Sequence, residues 1–188
     1  DTRDGHKFIE NAKKSGASCS LVERVDDQIG MPQLVVSDSL ESFQRIARSV
    51  RDHFKGKVVG VTGSSGKTST KDMLSILLGK GGTLSTKGNL NNHLGIPLTL
   101  VQIDSAQHKW AVIEAGINQV GEMQGHSRMI SPNLVVISSI GPSHLEGLGS
   151  VENVAKEKAL LFRESKNLEK AIFPEDCMKY ECFAEWVN

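Results

Sequence analysis

Hydrophobic positions in the first part of the chain predict two helices with two short strands between them. The first helix follows from an apolar stripe that ends at Gly16, and the second from an i, i+3, i+4, i+7 pattern after the capping segment Ser37-Asp38-Ser39. The runs that predict strands are Ser20 to Val22 and Leu34 to Val36. We therefore place a domain boundary near Asp38, between a small α+β fragment at 1–38 and a second domain at 39–188.

Downstream, the hydrophobic pattern alternates between short buried strands and amphipathic helices. The predicted strands are Val58 to Val61, Thr83 to Ser85, Trp110 to Ile113, Leu134 to Ser138 and Ala171 to Phe173. The predicted helices are Lys67 to Leu78, Gly121 to Met129 and Val151 to Phe162. Parallel strands need long crossovers, so this alternation predicts an α/β fold with a mainly parallel sheet flanked by helices.

Three unusual segments follow strands of this predicted sheet: the loop after Val61, Glu114, and His144. In open parallel sheets, ligands bind beyond the carboxyl ends of the strands. We expect these segments to meet at one edge of the sheet and to form a binding site there.

The loop after Val61 has the composition of a phosphate-binding loop. It follows a strand, is rich in glycine and serine, and opens a helix with Gly-Lys-Thr, so its N–H groups and the helix N-terminus can bind phosphate oxygens. The residues predicted to contact a nucleotide are Thr62, Gly63, Ser64, Ser65, Gly66, Lys67, Thr68 and Ser69. Val61 stands where the usual pattern has glycine, and the alternative is a Gly/Ser-rich turn that happens to precede Lys-Thr.

Composition restricts the partners of the chain. Its 188 residues contain 22 Lys plus Arg and 22 Asp plus Glu, so no global field favours nucleic acid or an anionic membrane. The three cysteines indicate reduced thiols rather than a disulfide framework. With no apolar run of about 18 residues, we expect a cytoplasmic protein without membrane insertion.

The segment Thr62 to Thr68 resembles the phosphate loop of the Mur ligases, which build the peptide stem of peptidoglycan. Three later segments are similar to further motifs of that family, in the same order: Thr86 to Thr99, Ala111 to Glu122, and Ile140 to Lys158. The asparagine-rich stretch within the first of these resembles the member that adds D-alanyl-D-alanine. The first 38 residues resemble the end of the family's UDP-substrate domain, and Asp1-Thr2-Arg3 resembles an earlier motif of it.

This resemblance implies an ATP-dependent amide ligase with a P-loop-type sheet and two Mg²⁺ sites. It would join UDP-N-acetylmuramoyl-tripeptide to D-alanyl-D-alanine through an acyl phosphate, and we expect a monomer. Thr68 and Glu114 would hold the first Mg²⁺, and His144 the second. Lys158 would become an anionic metal ligand as a carbamate. Lys67, His144 and Lys158 are thus the predicted catalytic residues.

Each of these assignments has a simpler alternative. Glu114 could be an exposed strand-end carboxylate, His144 a surface histidine, and Lys158 a solvated lysine, with Lys156 as its rival. Three asparagines are predicted to orient phosphate or substrate oxygens, or else to cap turns: Asn91, Asn92 and Asn118.

Other functions also stay open. A sister amide ligase, such as the MurE type, folylpolyglutamate synthase or cyanophycin synthetase, is the nearest. A P-loop kinase or GTPase would need a Walker-B aspartate or a guanine-reading motif, and the sequence has neither. A nucleotide-binding module without activity is the third possibility.

Overall fold

The computed structural model describes residues 4–187, so the resemblance at Asp1-Thr2-Arg3 lies outside the described residues. The chain divides into two compact units, and the division falls between Ile46 and Ala47. This point lies inside helix α2 (Ser39–His53), whereas the boundary predicted near Asp38 lies just before that helix.

The N-terminal unit contains a small parallel sheet and a short helix. A 3₁₀ turn at Gly5–Phe8 leads into α1 (Ile9–Lys14), and strands β1 (Ser20–Val22) and β2 (Gln33–Val35) pair in parallel. Its buried apolar residues are Ile9, Val22 and Met31. The predicted N-cap of α2 is present, because Asp38 Oδ1 accepts the Glu41 N–H at 2.7 Å.

The second unit is built on a five-stranded parallel sheet. Its strands are β3 (Lys57–Thr62), β4 (Thr83–Ser85), β5 (Trp110–Glu114), β6 (Leu134–Ile137) and β7 (Lys170–Ile172). They lie in the order β4-β5-β3-β6-β7, and every pairing is parallel. The predicted α/β fold with a parallel sheet is confirmed, and each predicted strand is present within one residue at either end.

In the described part of the chain, six helices that lie wholly within this unit connect and cover the strands. They are α3 (Lys67–Leu77), α4 (Gly95–Leu100), α5 (Glu122–Ile130), α6 (Leu145–Leu148), α7 (Val151–Arg163) and α8 (Glu181–Val187), with 3₁₀ turns at Lys80–Gly82 and Glu175–Lys179. The sequence predicts α3, α5 and α7, and not α4, α6 or α8. These three have seven residues or fewer.

Strand β3 is central and buried on both faces. Val58 belongs to the larger core cluster together with residues of α5 and α7, whereas Val59 and Val61 pack with Leu74 and Leu78 on the other face. A continuous β-branched run suits such a strand, because neither face meets water. The phosphate loop therefore begins from the most enclosed strand of the sheet.

Candidate functional site

The ends of β3, β5 and β6 meet at the carboxyl edge of the sheet, as the sequence predicts. Val61 pairs with Glu114 in register, and Thr62 pairs with Ile137. Beyond the strands, Thr62 Oγ1 donates to Ala115 O at 2.8 Å and Ser138 N donates to Thr62 O at 2.9 Å. The loops that follow these three strands are thus tied to one another.

Two glycines give the phosphate loop its shape. A Cβ at Gly63 would collide with Ser138 Oγ, so only glycine fits there without a shift. Gly66 has φ of 79°, a left-handed conformation that glycine adopts readily, and it is the N-cap of α3. Because this N-cap residue has no side chain, the first-turn N–H groups of α3 have no side-chain acceptor at the cap and can bind an anion.

Serine hydroxyls and backbone groups of the loop after β6 hold the phosphate loop in place. Ser65 N donates to Ser139 Oγ at 3.0 Å, and Ser64 N donates to Ser139 O at 2.9 Å. Ser64 Oγ bridges the carbonyl and the N–H of Gly141, at 2.8 and 3.0 Å. Lys67 folds back over its own loop, and its Nζ donates to Gly63 O at 2.9 Å.

Glu114 is buried and fully engaged at the end of β5. Its side chain is 1% exposed, which excludes the alternative of a solvated strand-end glutamate. Oε2 accepts from Thr68 Oγ1 at 3.0 Å and Oε1 accepts from Asn91 Nδ2 at 2.8 Å. The Glu114 N–H donates to Thr86 Oγ1 at 3.0 Å. Thr68 and Glu114, the predicted ligands of the first Mg²⁺, are therefore adjacent.

The three predicted asparagines differ in what they contact. Asn91 bonds the Glu114 carboxylate. Asn92 Oδ1 accepts from the N–H groups of Leu94 and Gly95, at 3.1 and 2.8 Å, so it caps α4 as the turn-capping alternative describes. Asn118 is exposed, and its backbone N–H donates to Glu122 at 2.7 Å.

Lys158 lies inside the molecule on α7. Its side chain is 1% exposed, whereas Lys156 is exposed, so Lys158 is not a solvated lysine. Burial, and then the positive charge of Lys67, lower the pKa of Lys158 to about 7.

His144 follows β6 on an exposed loop. It has φ of 51° and is the N-cap of α6, and its carbonyl accepts from the N–H groups of Gly147 and Leu148 in that helix. The preceding residue, Ser143, bonds Ser64 through their hydroxyls at 3.1 Å, so this loop is attached to the phosphate loop. Within residues 4–187, no group of three His, Cys, Asp or Glu could hold a metal ion by itself.

Sequence reasoning missed several residues that shape this site: Thr86, Ser138, Ser139 and Gly141. The available signal was that Ser138 ends the predicted strand 134–138 and Ser139 follows it, at the same edge of the sheet as the phosphate loop. Thr86 similarly follows the predicted strand at 83–85.

Similarity to known proteins agrees with this geometry. The Mur ligase middle domain matches residues 61–188. UDP-N-acetylmuramoyl-tripeptide–D-alanyl-D-alanine ligase of Escherichia coli is 42% identical over 160 residues, which cover 85% of this chain and 35% of that protein. The Bacillus subtilis ligase of the same name is 38% identical over 158 residues, 82% of this chain and 34% of that protein.

Solved structures give the same result. MurF from Acinetobacter baumannii has a TM-score of 0.85 at 33% identity, over 95% of this chain and 41% of that one. MurF from Thermotoga maritima in complex with ADP has a TM-score of 0.81 at 30% identity, over 96% and 43%. The chain thus spans well under half the length of these relatives. With its middle-domain match extending over most of its length, the chain belongs to the Mur ligase family.

Proposed function

We propose that the protein is an ATP-dependent amide ligase that joins D-alanyl-D-alanine to UDP-N-acetylmuramoyl-tripeptide. The observation that supports this most directly is the contact between Thr68 and Glu114 beside the phosphate loop. The relatives named above are ligases of this kind, and the carboxyl edge of the sheet has the groups that such a reaction requires.

ATP would bind with its phosphates against the loop from Gly63 to Thr68. The glycine-shaped backbone and the N-terminus of α3 supply N–H donors, and Lys67 supplies a positive charge. The Thermotoga relative with ADP supports a nucleotide site in this fold. Asn92 would contact a phosphate or substrate oxygen through Nδ2, because its Oδ1 accepts from Leu94 and Gly95.

The residues at this edge of the sheet fit a magnesium ion bound together with phosphates. Mg²⁺ in nucleotide sites takes one or two protein oxygen ligands and fills its octahedron with phosphates and water. Thr68 Oγ1 and Glu114 Oε2, 3.0 Å apart, are such a pair of hard oxygen ligands. When bound, the ion would screen the repulsion between an anionic substrate and the triphosphate.

Lys158 would act as a carbamate and His144 as a second metal ligand. Carbamate formation joins the neutral amine to CO₂ and releases a proton, so it requires a lysine that is partly neutral near pH 7. Burial of Lys158 and its lowered pKa support this chemistry. His144 is supported only by its place on the loop attached to Ser64.

The reaction then has two steps. A carboxylate oxygen of the tripeptide bonds the γ-phosphorus while the bond to ADP breaks, which gives an acyl phosphate. The amine of D-alanyl-D-alanine next bonds the acyl carbon, loses a proton, and phosphate leaves. Lys67 would stabilise the charge that develops on the transferred phosphoryl group, and Glu114 would keep the metal-binding hydroxyl of Thr68 in place.

The remaining assignments follow from this function. Residues 1–38 would be part of the UDP-substrate domain, and 39–188 part of the ATP-binding domain. A net charge of zero supports a role without nucleic acid, and nucleotide substrates support a cytoplasmic site of action. No helix in the described part of the chain is long and apolar enough to cross a membrane. We retain the expectation of a monomer, which sedimentation velocity can test.

Calorimetry with a non-hydrolysable ATP analogue tests the nucleotide site. We expect binding that depends on Mg²⁺ and is lost in Lys67→Ala. Lys80→Ala, an exposed lysine in the 3₁₀ turn after α3, is the matched control and should bind normally. Equal binding by Lys67→Ala and the unmodified chain would contradict the proposal.

A further inference from the structure

A buried lysine on α3, Lys71, lies one turn beyond Lys67. Its side chain is 4% exposed, and Nζ donates to the backbone carbonyl of Thr86 at 2.9 Å. The same Nζ pairs at 2.9 Å with Asp72, whose side chain is largely exposed. An ammonium group loses hydration on burial, and a methionine would fill this space without that cost. Packing alone therefore does not account for a lysine at this position.

The partner of Lys71, Thr86, connects α3 to β5. Its carbonyl accepts from Lys71, while its hydroxyl accepts the Glu114 N–H at 3.0 Å. Thr86 is 1% exposed, so water does not compete for these bonds. Its own N–H donates to Val112 O at 3.0 Å, which fixes it to β5 a second time.

These contacts close a ring around the predicted metal ligands. Lys71 on α3 donates to the Thr86 carbonyl, and the Thr86 hydroxyl accepts from the backbone N–H of Glu114. The Glu114 carboxylate in turn accepts from Thr68, which lies on α3 as Lys71 does. Thr68 and Lys71 are three residues apart and so lie on the same face of the helix. The bond between Lys71 and Thr86 therefore restrains the separation between Thr68 Oγ1 and Glu114 Oε2.

We propose that Lys71 is a positioning residue which, through Thr86, sets the geometry of the Thr68 and Glu114 oxygens for a divalent cation. The inference rests on the proposed nucleotide and metal site. Groups that orient metal ligands change affinity for the ion when they are removed, commonly by about 10- to 100-fold. The partners of Lys71 Nζ are Thr86 and Asp72 rather than groups of the phosphate loop, so its removal should affect the ion more than the nucleotide.

Manganese binding measured by electron paramagnetic resonance, on the full chain with ADP, tests this role. Lys71→Met should raise the Mn²⁺ dissociation constant by about tenfold or more. Metal-free affinity for ADP, measured by calorimetry, should change less than about twofold, since the loop N–H groups and Lys67 remain. A merely structural lysine would lower both affinities together.

Variants of Thr86 and Asp72 supply the controls. Thr86→Val should weaken Mn²⁺ binding as Lys71→Met does, whereas Thr86→Ser keeps the hydroxyl and should bind Mn²⁺ normally. In the double variant with Lys71→Met and Thr86→Val, the loss of Mn²⁺ binding free energy should be less than the sum of the two single losses. Asp72→Asn removes only the charge of the exposed partner of Lys71, and this variant should bind Mn²⁺ normally.

Three results would overturn the inference. The first is a normal Mn²⁺ affinity in Lys71→Met, and the second is an equal loss of Mn²⁺ binding and of metal-free ADP binding in that variant. The third applies if Lys71→Met does not fold, and it is an equal Mn²⁺ affinity in Thr86→Val and Thr86→Ser. Failure of the unmodified chain to bind Mn²⁺ with ADP would instead contradict the proposed function, and this inference with it.

Discussion

The two sides of the phosphate loop are organised differently. On the β5 side, the buried carboxylate of Glu114 accepts hydrogen bonds on both oxygens, from the exposed Thr68 and the half-buried Asn91. On the β6 side, the loop from Ser138 to His144 is hydrogen-bonded to the phosphate loop through serine hydroxyls, and the histidine at its end is exposed. The proposed ion would thus meet a carboxylate already held in place on the first side, whereas the second side supports the loop and leaves its histidine exposed.

This difference indicates that the two sides have separate roles. A carboxylate held by two side-chain donors needs little reorganisation to receive a cation, so the β5 side should determine ion affinity. The β6 side should determine loop shape, and its histidine should affect turnover without affecting the resting structure. Four predictions test this comparison.

Loss of the β5 carboxylate should have the largest effect. Glu114→Gln keeps the shape of the side chain but removes its charge, and we expect Mg²⁺-dependent binding of an ATP analogue to weaken by more than about 100-fold. Calorimetry with and without Mg²⁺ measures this. Glu146→Gln, at an exposed position of α6, is the control on the β6 side. Comparable losses in both variants would erase the distinction between the sides.

The second largest effect should be the loss of a carbamate when Lys158 is replaced. With ¹³CO₂, nuclear magnetic resonance should detect one carbamate signal that Lys158→Arg abolishes and Lys156→Arg keeps. Since the pKa of Lys158 lies near 7, the neutral amine is scarce below that pH and dominant above it. The signal should therefore grow as pH rises from 6 to 8 at constant dissolved CO₂. A signal that persists in Lys158→Arg would show that another amine reacts.

Shape of the phosphate loop should depend on the contact between Gly63 and Ser138. Gly63→Ala forces a methyl group against Ser138 Oγ, and overpacking of this kind costs about 1–3 kcal/mol of folding stability. Ser138→Ala removes the obstructing oxygen and should recover part of that loss in the double variant. Urea unfolding of the two single variants and the double variant gives the coupling, and strict additivity would mean that the clash is relieved elsewhere.

The smallest effect on stability should come from His144. Its left-handed backbone costs an L-residue about 1–2 kcal/mol, so His144→Gly should leave stability unchanged or raise it by up to about 1 kcal/mol. His144→Asn, which tolerates this conformation, serves as the paired variant. Both should reduce ligase turnover if the ring binds a metal. Normal turnover in both would identify a surface histidine.

Hydrophobic periodicity was sufficient to predict the strands and the long helices, because each buried strand and each amphipathic face has several residues that agree. Short helices lack that redundancy. Helix α4 contains Gly95 and Pro97, which disfavour a helix in isolation, and it forms where Asn92 caps it and the core buries Ile96 and Leu100. Tertiary context outweighs propensity there.

The residue types at the strand ends were sufficient to predict which segments meet. They were not sufficient to predict which side chains contact each other. The spacing between Thr68 and Glu114 in sequence says nothing about a bond between α3 and β5. The adjacent positions of Asn91 and Asn92 likewise gave no sign that Asn91 would bond a carboxylate while Asn92 accepts from the backbone at the start of α4. Side-chain direction depends on register and on turns such as that at Gly66. Lys158 was singled out only through the family resemblance, because its sequence pattern equally fits a solvated lysine on an amphipathic helix.

Parallel topology has a kinetic consequence. Each pairing in the sheet joins segments separated by at least one helix, so no strand pair can form as a local hairpin. Chains dominated by such distant contacts fold slowly. Strands β3, β5 and β6 each end at the carboxyl edge of the sheet, where we propose that the nucleotide binds. That edge is therefore complete only when β3 has paired with both β5 and β6. Nucleotide added during refolding should therefore slow unfolding of the finished domain rather than accelerate its formation.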